Sequence, residues 1–405
     1  TKGNEDPRYG FKKEKYIIDI LYLSKFLQEK NNDDRFLNLP HSLKESLKNW
    51  NKNFKKFKDL HNASLNENLN VKTKDGFQIA QLESDINFLA PVPNPPSFRD
   101  FYAFEQHVRS ARKLRGLDMH PDWFKIPIFY FSNAGAVYGH RAPIPYPKGT
   151  QELDFELEFA VIIANGGSDI SQKDANNYIA GYTICNDWSA RDLQREEMAM
   201  SLGPAKGKDF ATSFGPFMVT PDELEKKWDD NGKLHLRMTC HINGNLISDG
   251  NTNDLYHPFT KMIERASMNT NLMPGDYLGS GTVGTGCILE LRPENTGGWI
   301  KKGDIIIFHT GWTDAKLKSS PEEWGSTIPG ITNDAAVYLA SLNPMAVGAD
   351  TWGLGAVPPI EGDKVYFDHV TLIKENGIYI LETMNTGKLA SEGVSEFMFV
   401  LGQPK

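Results

Sequence analysis

Between residues 152 and 160 the chain reads ELDFELEFA, with apolar side chains at 153, 155, 157 and 159 and carboxylates at Glu152, Asp154, Glu156 and Glu158. A period of two predicts a β-strand with one apolar face and one face of four anions. Same-face neighbours on a strand lie about 7 Å apart, so these anions repel unless water solvates them or a cation sits among them. Strand texture with Gly, Pro, Asn and Asp turns continues from about residue 100 to 307: AGYTICND, KLHLRMTCHING, ILELRP and DIIIFHTG read as strands. INGN at 242–245 is a hairpin-turn candidate. QKDANNYIA, ARDLQREEMAM and PFTKMIERAS carry helical spacing.

Residues 1–75 are polar, Asn/Lys-rich and helix-leaning, with amphipathic patches such as YIIDILYLSKFL. The Lys-rich stretch KNWNKNFKKFKDLHN spaces Trp and Phe at helical intervals, which predicts a solvated amphipathic helix rather than a nucleic-acid surface. LAPVPNPPSFRDF at 89–101 is a Pro-rich connector and a natural boundary. Beyond 310 the texture changes: NDAAVYLASL predicts a helix, and KVYFDHVTLIKENGIYILETM a helix followed by a buried strand.

Composition narrows the function class. The 405 residues are 40% hydrophobic and 24% charged, an ordinary globular balance for two or three domains. A formal net charge of -8 argues against a nucleic-acid partner. No apolar run approaches the roughly 18 residues a membrane helix needs, and no signal peptide is visible. Three widely spaced cysteines (Cys185, Cys240, Cys287) form neither a disulfide framework nor a zinc knuckle. The expectation is a reducing, cytoplasmic setting.

Three further stretches combine charge with tight turns. FRDFYAFEQHV supplies Asp100, Tyr102 and His107; GYTICNDWSARDLQREE supplies Asp187, Arg191 and Gln194; LGPAKGKDFATSFGP supplies Lys206, Lys208 and Thr212. Carboxylates on a strand face plus one at a strand end suit a hard divalent cation, Mg²⁺, Mn²⁺ or Ca²⁺, far better than zinc. Each residue also has a plainer reading. Taken alone, the carboxylate ladder is more often a solvated face and His107 a structural histidine, and Asp187 and Arg191 could be a simple helical ion pair. GSGTVGTG at 279–286 lacks the Lys and spacing of a phosphate loop. The residue pattern alone leaves these readings open.

Taken in order across about residues 85–305, these stretches, with LMPGDYLGSGTVGTGCILELRP, resemble the fumarylacetoacetate hydrolase family. The resemblance implies an α+β, mainly β fold, with a twisted β-roll core and a divalent cation at its mouth. It divides the chain into an N-terminal helical or mixed region (1–88), the catalytic domain (89–305) and an appended α/β segment (306–405). By motif, Asp100, Glu156, Glu158 and Asp187 correspond to metal ligands, with Thr212 beside the metal, while Glu152 and Asp154 fall outside the motif and are expected to face solvent. His107 corresponds to the base that activates water and Glu290 to the carboxylate that orients it. Lys208 lies beside the metal and the substrate, and Tyr102, Arg191, Gln194 and Thr282 correspond to substrate contacts. The implied chemistry is hydrolysis of a carbon–carbon bond in an acylpyruvate or related 1,3-diketo acid, by a homodimer. Decarboxylation or isomerisation of a 2-oxo acid is the alternative. Met198 stands where the animal enzyme has a phenol, which turns the expectation away from fumarylacetoacetate itself.

Residues from about 303 to 405 resemble instead the C-terminal half of the cyclase (kynurenine-formamidase-like) hydrolases, joined at the string KKGD. The HxxTHxD-type motif that supplies most of the zinc ligands in that family is not found in the chain. His369 and Glu382 match its downstream positions, and two groups are too few to hold zinc. They are expected to be vestigial or structural, leaving a zinc amidase and an inactive scaffold as the remaining alternatives.

Overall fold

The computed structural model describes residues 7–31, 34–65, 67–242, 245–301, 305–341 and 344–393. The chain divides into two compact units, Thr1–Ile300 and Lys301–Lys405.

The first unit is built on a curled seven-stranded sheet. Its strands run, in spatial order, Phe129–Ser132, Phe98–Phe101, Tyr277–Gly279, Leu157–Ile163, Ile179–Asp187, Thr212–Val219 and Val137–Tyr138. Most neighbours are antiparallel; Tyr277–Gly279 runs parallel to Phe98–Phe101, and Val137–Tyr138 parallel to Thr212–Val219. Both faces are covered, which is why AVII within the central strand is continuously apolar rather than alternating. On one face Phe98, Ala160, Ile162, Phe214 and Tyr277 form a core against Leu47 and Trp50. On the other, Phe159, Val161 and Tyr182 pack with Met262, Ile263 and Ala266 of the helix Phe259–Ser267.

Residues 7–82 add an antiparallel sheet (Gly10–Lys13, Tyr16–Asp19, Ala80–Leu82) with helices Ile20–Asn31 and Trp50–Ser64. YIIDILYLSKFL therefore splits into a strand and a helix. The second unit carries a parallel sheet of Ile305–Phe308, Ala346–Ala349 and Tyr379–Leu381, with the expected helix at Asn333–Ser341.

Several sequence expectations change. ILELRP is not a strand: Ile288–Leu291 is a short helix. QKDANNYIA yields only the 3₁₀ turn Ala175–Tyr178. Tyr379–Leu381 is an edge strand with Tyr379 exposed, not a buried one. DIIIFHTG pairs within the second unit rather than with the seven-stranded sheet. The central turn of INGN and the GD of KKGD lie outside the described residues, although the strands Arg237–Ile242 and Asn245–Asn251 that INGN was read to join do pair antiparallel. Among the described residues no helix is long and apolar enough to cross a membrane.

Candidate active site

The ELDFELEFA ladder is broken in the middle. Leu153–Asp154 pairs with Ser189–Ala190, and the main strand begins only at Leu157. Every carboxylate from 154 to 158 is nevertheless buried, Asp154 and Glu158 completely and Glu156 to within 6%. This overturns the expectation that Asp154 faces solvent. Asp154 accepts hydrogen bonds from Arg191 Nε (2.8 Å), Ile288 N (2.7 Å) and Leu289 N (3.0 Å). Glu152 is partly exposed and pairs with Arg195.

Cross-strand register gathers the acidic set. Asp100 stands opposite Gly279, and Gly279 opposite Ala160, two residues from Glu158 on the same face. Gly279 has no side chain between the two carboxyls. A Cβ there would lie 2.4 Å from Asp100 Oδ1 and 3.2 Å from Glu158 Oε2. Asp187 ends the next strand, opposite Thr212. One oxygen from each of Asp100, Glu156, Glu158 and Asp187 lies within 4.8 Å of all the others, and all four residues are buried.

Cations reach only part of this cage. Lys208 Nζ donates to Glu156 and, at 2.7 Å, to Asp187 Oδ2. Arg191 Nη2 lies 2.8 Å from Glu156 Oε1. Thr212 Oγ1 (3.1 Å) and Tyr130 OH donate to Asp187. Burial raises Glu156, but the charges of Lys208, Arg191 and His107 outweigh it and hold this carboxyl well below its usual range. Lys208 stays an ammonium, because Asp187 and Glu156 overcome its desolvation. Asp187 is raised by burial despite Lys208.

Asp100 and Glu158 behave differently. Burial first, and then neighbouring carboxylates (Asp187 for Asp100, Asp100 for Glu158), push both well above the ordinary range. Asp100 Oδ1 and Glu158 Oε2 are buried without a hydrogen-bond partner. Two orphaned oxygens on the strands that flank Tyr277–Gly279, in an all-oxygen donor set with an excess of anions, fit a hard divalent cation. Asp100, Glu156, Glu158 and Asp187 are the residues that would hold it.

Beside the cage, His107 Nδ1 lies 3.0 Å from Glu290 Oε2, both largely buried. Burial raises Glu290, but the hydrogen bond and charge of His107 dominate and leave it lowered. A carboxylate on Nδ1 fixes the tautomer with the proton there and leaves Nε2 as the basic nitrogen. Cys287 lies within 4.8 Å of this pair, but burial keeps its thiol protonated and unsuited to a metal. Tyr102 packs edge-on to His107 at 5.7 Å, its phenol raised to about 12 by burial. Thr282 Oγ1 donates to Glu158 at 3.3 Å. Gln194 accepts from Arg191 Nη1 at 3.0 Å, while Arg191 Nη2, though close to Glu156, is buried without a hydrogen-bond partner.

Sequence reading missed Tyr130, on an edge strand with no motif to mark it, and Asp154, whose partners come from segments 37 and 134 residues away. His369 lies 3.2 Å from Asp368 and 3.5 Å from Glu382. They belong to no cluster of three or more metal-capable groups among the described residues.

Comparison with known proteins agrees with the β-roll. The family model for the fumarylacetoacetate (FAA) hydrolase C-terminal region matches residues 97–318, and a cyclase model matches 289–356, overlapping the first. A fumarylacetoacetase of Arabidopsis thaliana is 29% identical, covering 52% of this chain and 64% of its own length. A mitochondrial oxaloacetate tautomerase of Xenopus laevis is 30% identical, covering 55% and 65%. The chain thus spans less than two thirds of these relatives. A crystal structure described as an HpcE protein from Mycobacterium smegmatis shares the fold at 20% identity and a TM-score of 0.50, covering 71% of this chain and 88% of that one. With its model matched over more than half of the residues, the chain belongs to the fumarylacetoacetate hydrolase family.

Proposed function

We propose that this chain hydrolyses a carbon–carbon bond of an acylpyruvate or related 1,3-diketo acid, with a divalent cation, Mg²⁺ or Mn²⁺, held by Asp100, Glu156, Glu158 and Asp187. The observation that carries the reading is the His107–Glu290 pair beside a cage of four buried carboxyls. The cation, when bound, supplies Lewis acidity toward the two substrate oxygens. His107 Nε2 takes a proton from water, and Glu290 stabilises the imidazolium that forms. The hydroxide adds to the distal carbonyl; the carbon–carbon bond then breaks toward the pyruvate side, and the resulting enolate collects a proton. Lys208, bonded to two carboxylates, retains one N–H for a substrate oxygen. Tyr102, Gln194 and Thr282 border the same space as polar contacts.

The test is hydrolysis of acetylpyruvate, followed by loss of its enol absorbance, with Mg²⁺ or Mn²⁺ and with EDTA. Wild type is run beside His107→Ala and Glu156→Ala. The expected outcome is metal-dependent turnover, lowered at least about a hundredfold in His107→Ala. Turnover that survives EDTA or either substitution overturns the reading.

The likeness to an oxaloacetate tautomerase favours a second reading, in which the same histidine shuttles a proton on a 2-oxo acid without adding water. Enol–keto interconversion of oxaloacetate, without acetylpyruvate cleavage, would select it.

A further inference from the structure

The unit that carries the cage also holds a second cavity, bounded by both the sheet and the helix Trp50–Ser64. It is about 800 Å³, within the range that holds small ligands. The strands Leu157–Ile163 and Ile179–Asp187 serve both: Glu158 and Asp187 point to the cage face, while Phe159 and Tyr182 point to the opposite one. None of the cage residues lines this cavity.

Part of its wall is aromatic. Trp50 and Phe54 stack at 5.0 Å, Phe159 meets Phe259 edge-on at 5.0 Å, and Tyr182 meets Phe259 at 6.1 Å. Tyr182 is 94% buried, yet its hydroxyl has no hydrogen-bond partner among the described residues. The hydroxyl is not among the sealed polar atoms, so it is open to the cavity that Tyr182 lines. Burial raises the phenol to about 12, so it remains a donor.

The rim of this cavity is polar. Asp222 is paired with Lys58, Lys233 donates to the Asn253 carbonyl, and Glu225 has no ion-pair partner among the described residues. No arginine lines it. A carboxylate ligand finds no bidentate partner here, and the rim's charges balance, Asp222 and Glu225 against Lys58 and Lys233.

We infer that this cavity is a second ligand site, for a neutral planar heteroaromatic molecule that stacks against the aromatic part of the wall and accepts a hydrogen bond from Tyr182. Quinoline has that chemistry; naphthalene has the same shape without the acceptor nitrogen.

Binding of each probe to the full chain is followed by tryptophan fluorescence and saturation-transfer NMR, in wild type, Tyr182→Phe and Asn176→Trp. Asn176 is exposed at the rim, so the indole narrows the mouth without disturbing the core. Quinoline is expected to bind saturably. Tyr182→Phe should weaken it about fivefold while leaving naphthalene unchanged, and Asn176→Trp should weaken both. Oxalate, a chelating anion suited to the cage, should displace neither probe. No saturable binding of quinoline up to millimolar concentration, displacement by oxalate, or equal weakening of both probes by Tyr182→Phe would each overturn the inference.

Discussion

The residues that matter most are the two carboxyls without a cation. Asp100 and Glu158 have folded-state pKa values raised well above their unfolded values, which lie near 4. A raised acid contributes stability that is fully present below the unfolded pKa and is lost as pH climbs through the folded one. The metal-free protein should therefore lose stability from about pH 4 upward through those raised values. A bound cation favours the ionised forms and removes that loss. The gap in melting temperature between Mg²⁺-loaded and EDTA-treated protein is expected to widen steadily from pH 5 to pH 8. A gap independent of pH would mean that these two groups do not hold the ion. At this scale the sequence was partly legible. Spacing placed Glu156 and Glu158 on one strand face, but nothing local distinguishes a buried anion from a solvated one. Asp154 was misread because its burial depends on Arg191 and on two backbone N–H groups far along the chain.

Among the elements, the short helix Ile288–Leu291 shows how the site is held. Its apolar-polar alternation imitates a strand, yet Asp154 accepts from its first two N–H groups and so anchors the turn that carries Glu290. The same carboxylate neutralises Arg191. Asp154→Ala should cost about 3 kcal/mol, because it strips a buried guanidinium of one partner and leaves two helix donors unsatisfied. Urea unfolding of the metal-loaded protein measures it; a loss under 1 kcal/mol would show that water or Glu156 replaces the contact. The long strands and the helices Trp50–Ser64, Arg191–Met198 and Phe259–Ser267 were legible from periodicity. Short pieces were not, since four residues satisfy either period and tertiary contacts decide.

For the molecule as a whole, the homodimer implied by family resemblance remains our proposal. The edge strand Phe129–Ser132 exposes Phe131 at 66%, beside Ile128 at 49%. An apolar edge of this kind is a surface that a second copy would cover. Sedimentation equilibrium of the 45.5 kDa chain should give twice that mass, and Phe131→Glu should shift it toward monomer. A monomeric wild type would remove the proposal. Fold class and core were legible because their signals repeat along many residues. The division after Ile300 falls at the KKGD join read from the change of texture there, although both family likenesses run across it.

The orphaned pair over Gly279 has one more consequence, for anyone who evolves this protein in the laboratory. Without metal, an amide at either position would relieve the crowding that a carboxyl imposes. A screen for heat resistance in chelating buffer would therefore enrich Asn at 100 and Gln at 158, and the survivors would be sturdier and inert. The screening buffer, more than the mutation rate, would decide whether the winners are still enzymes.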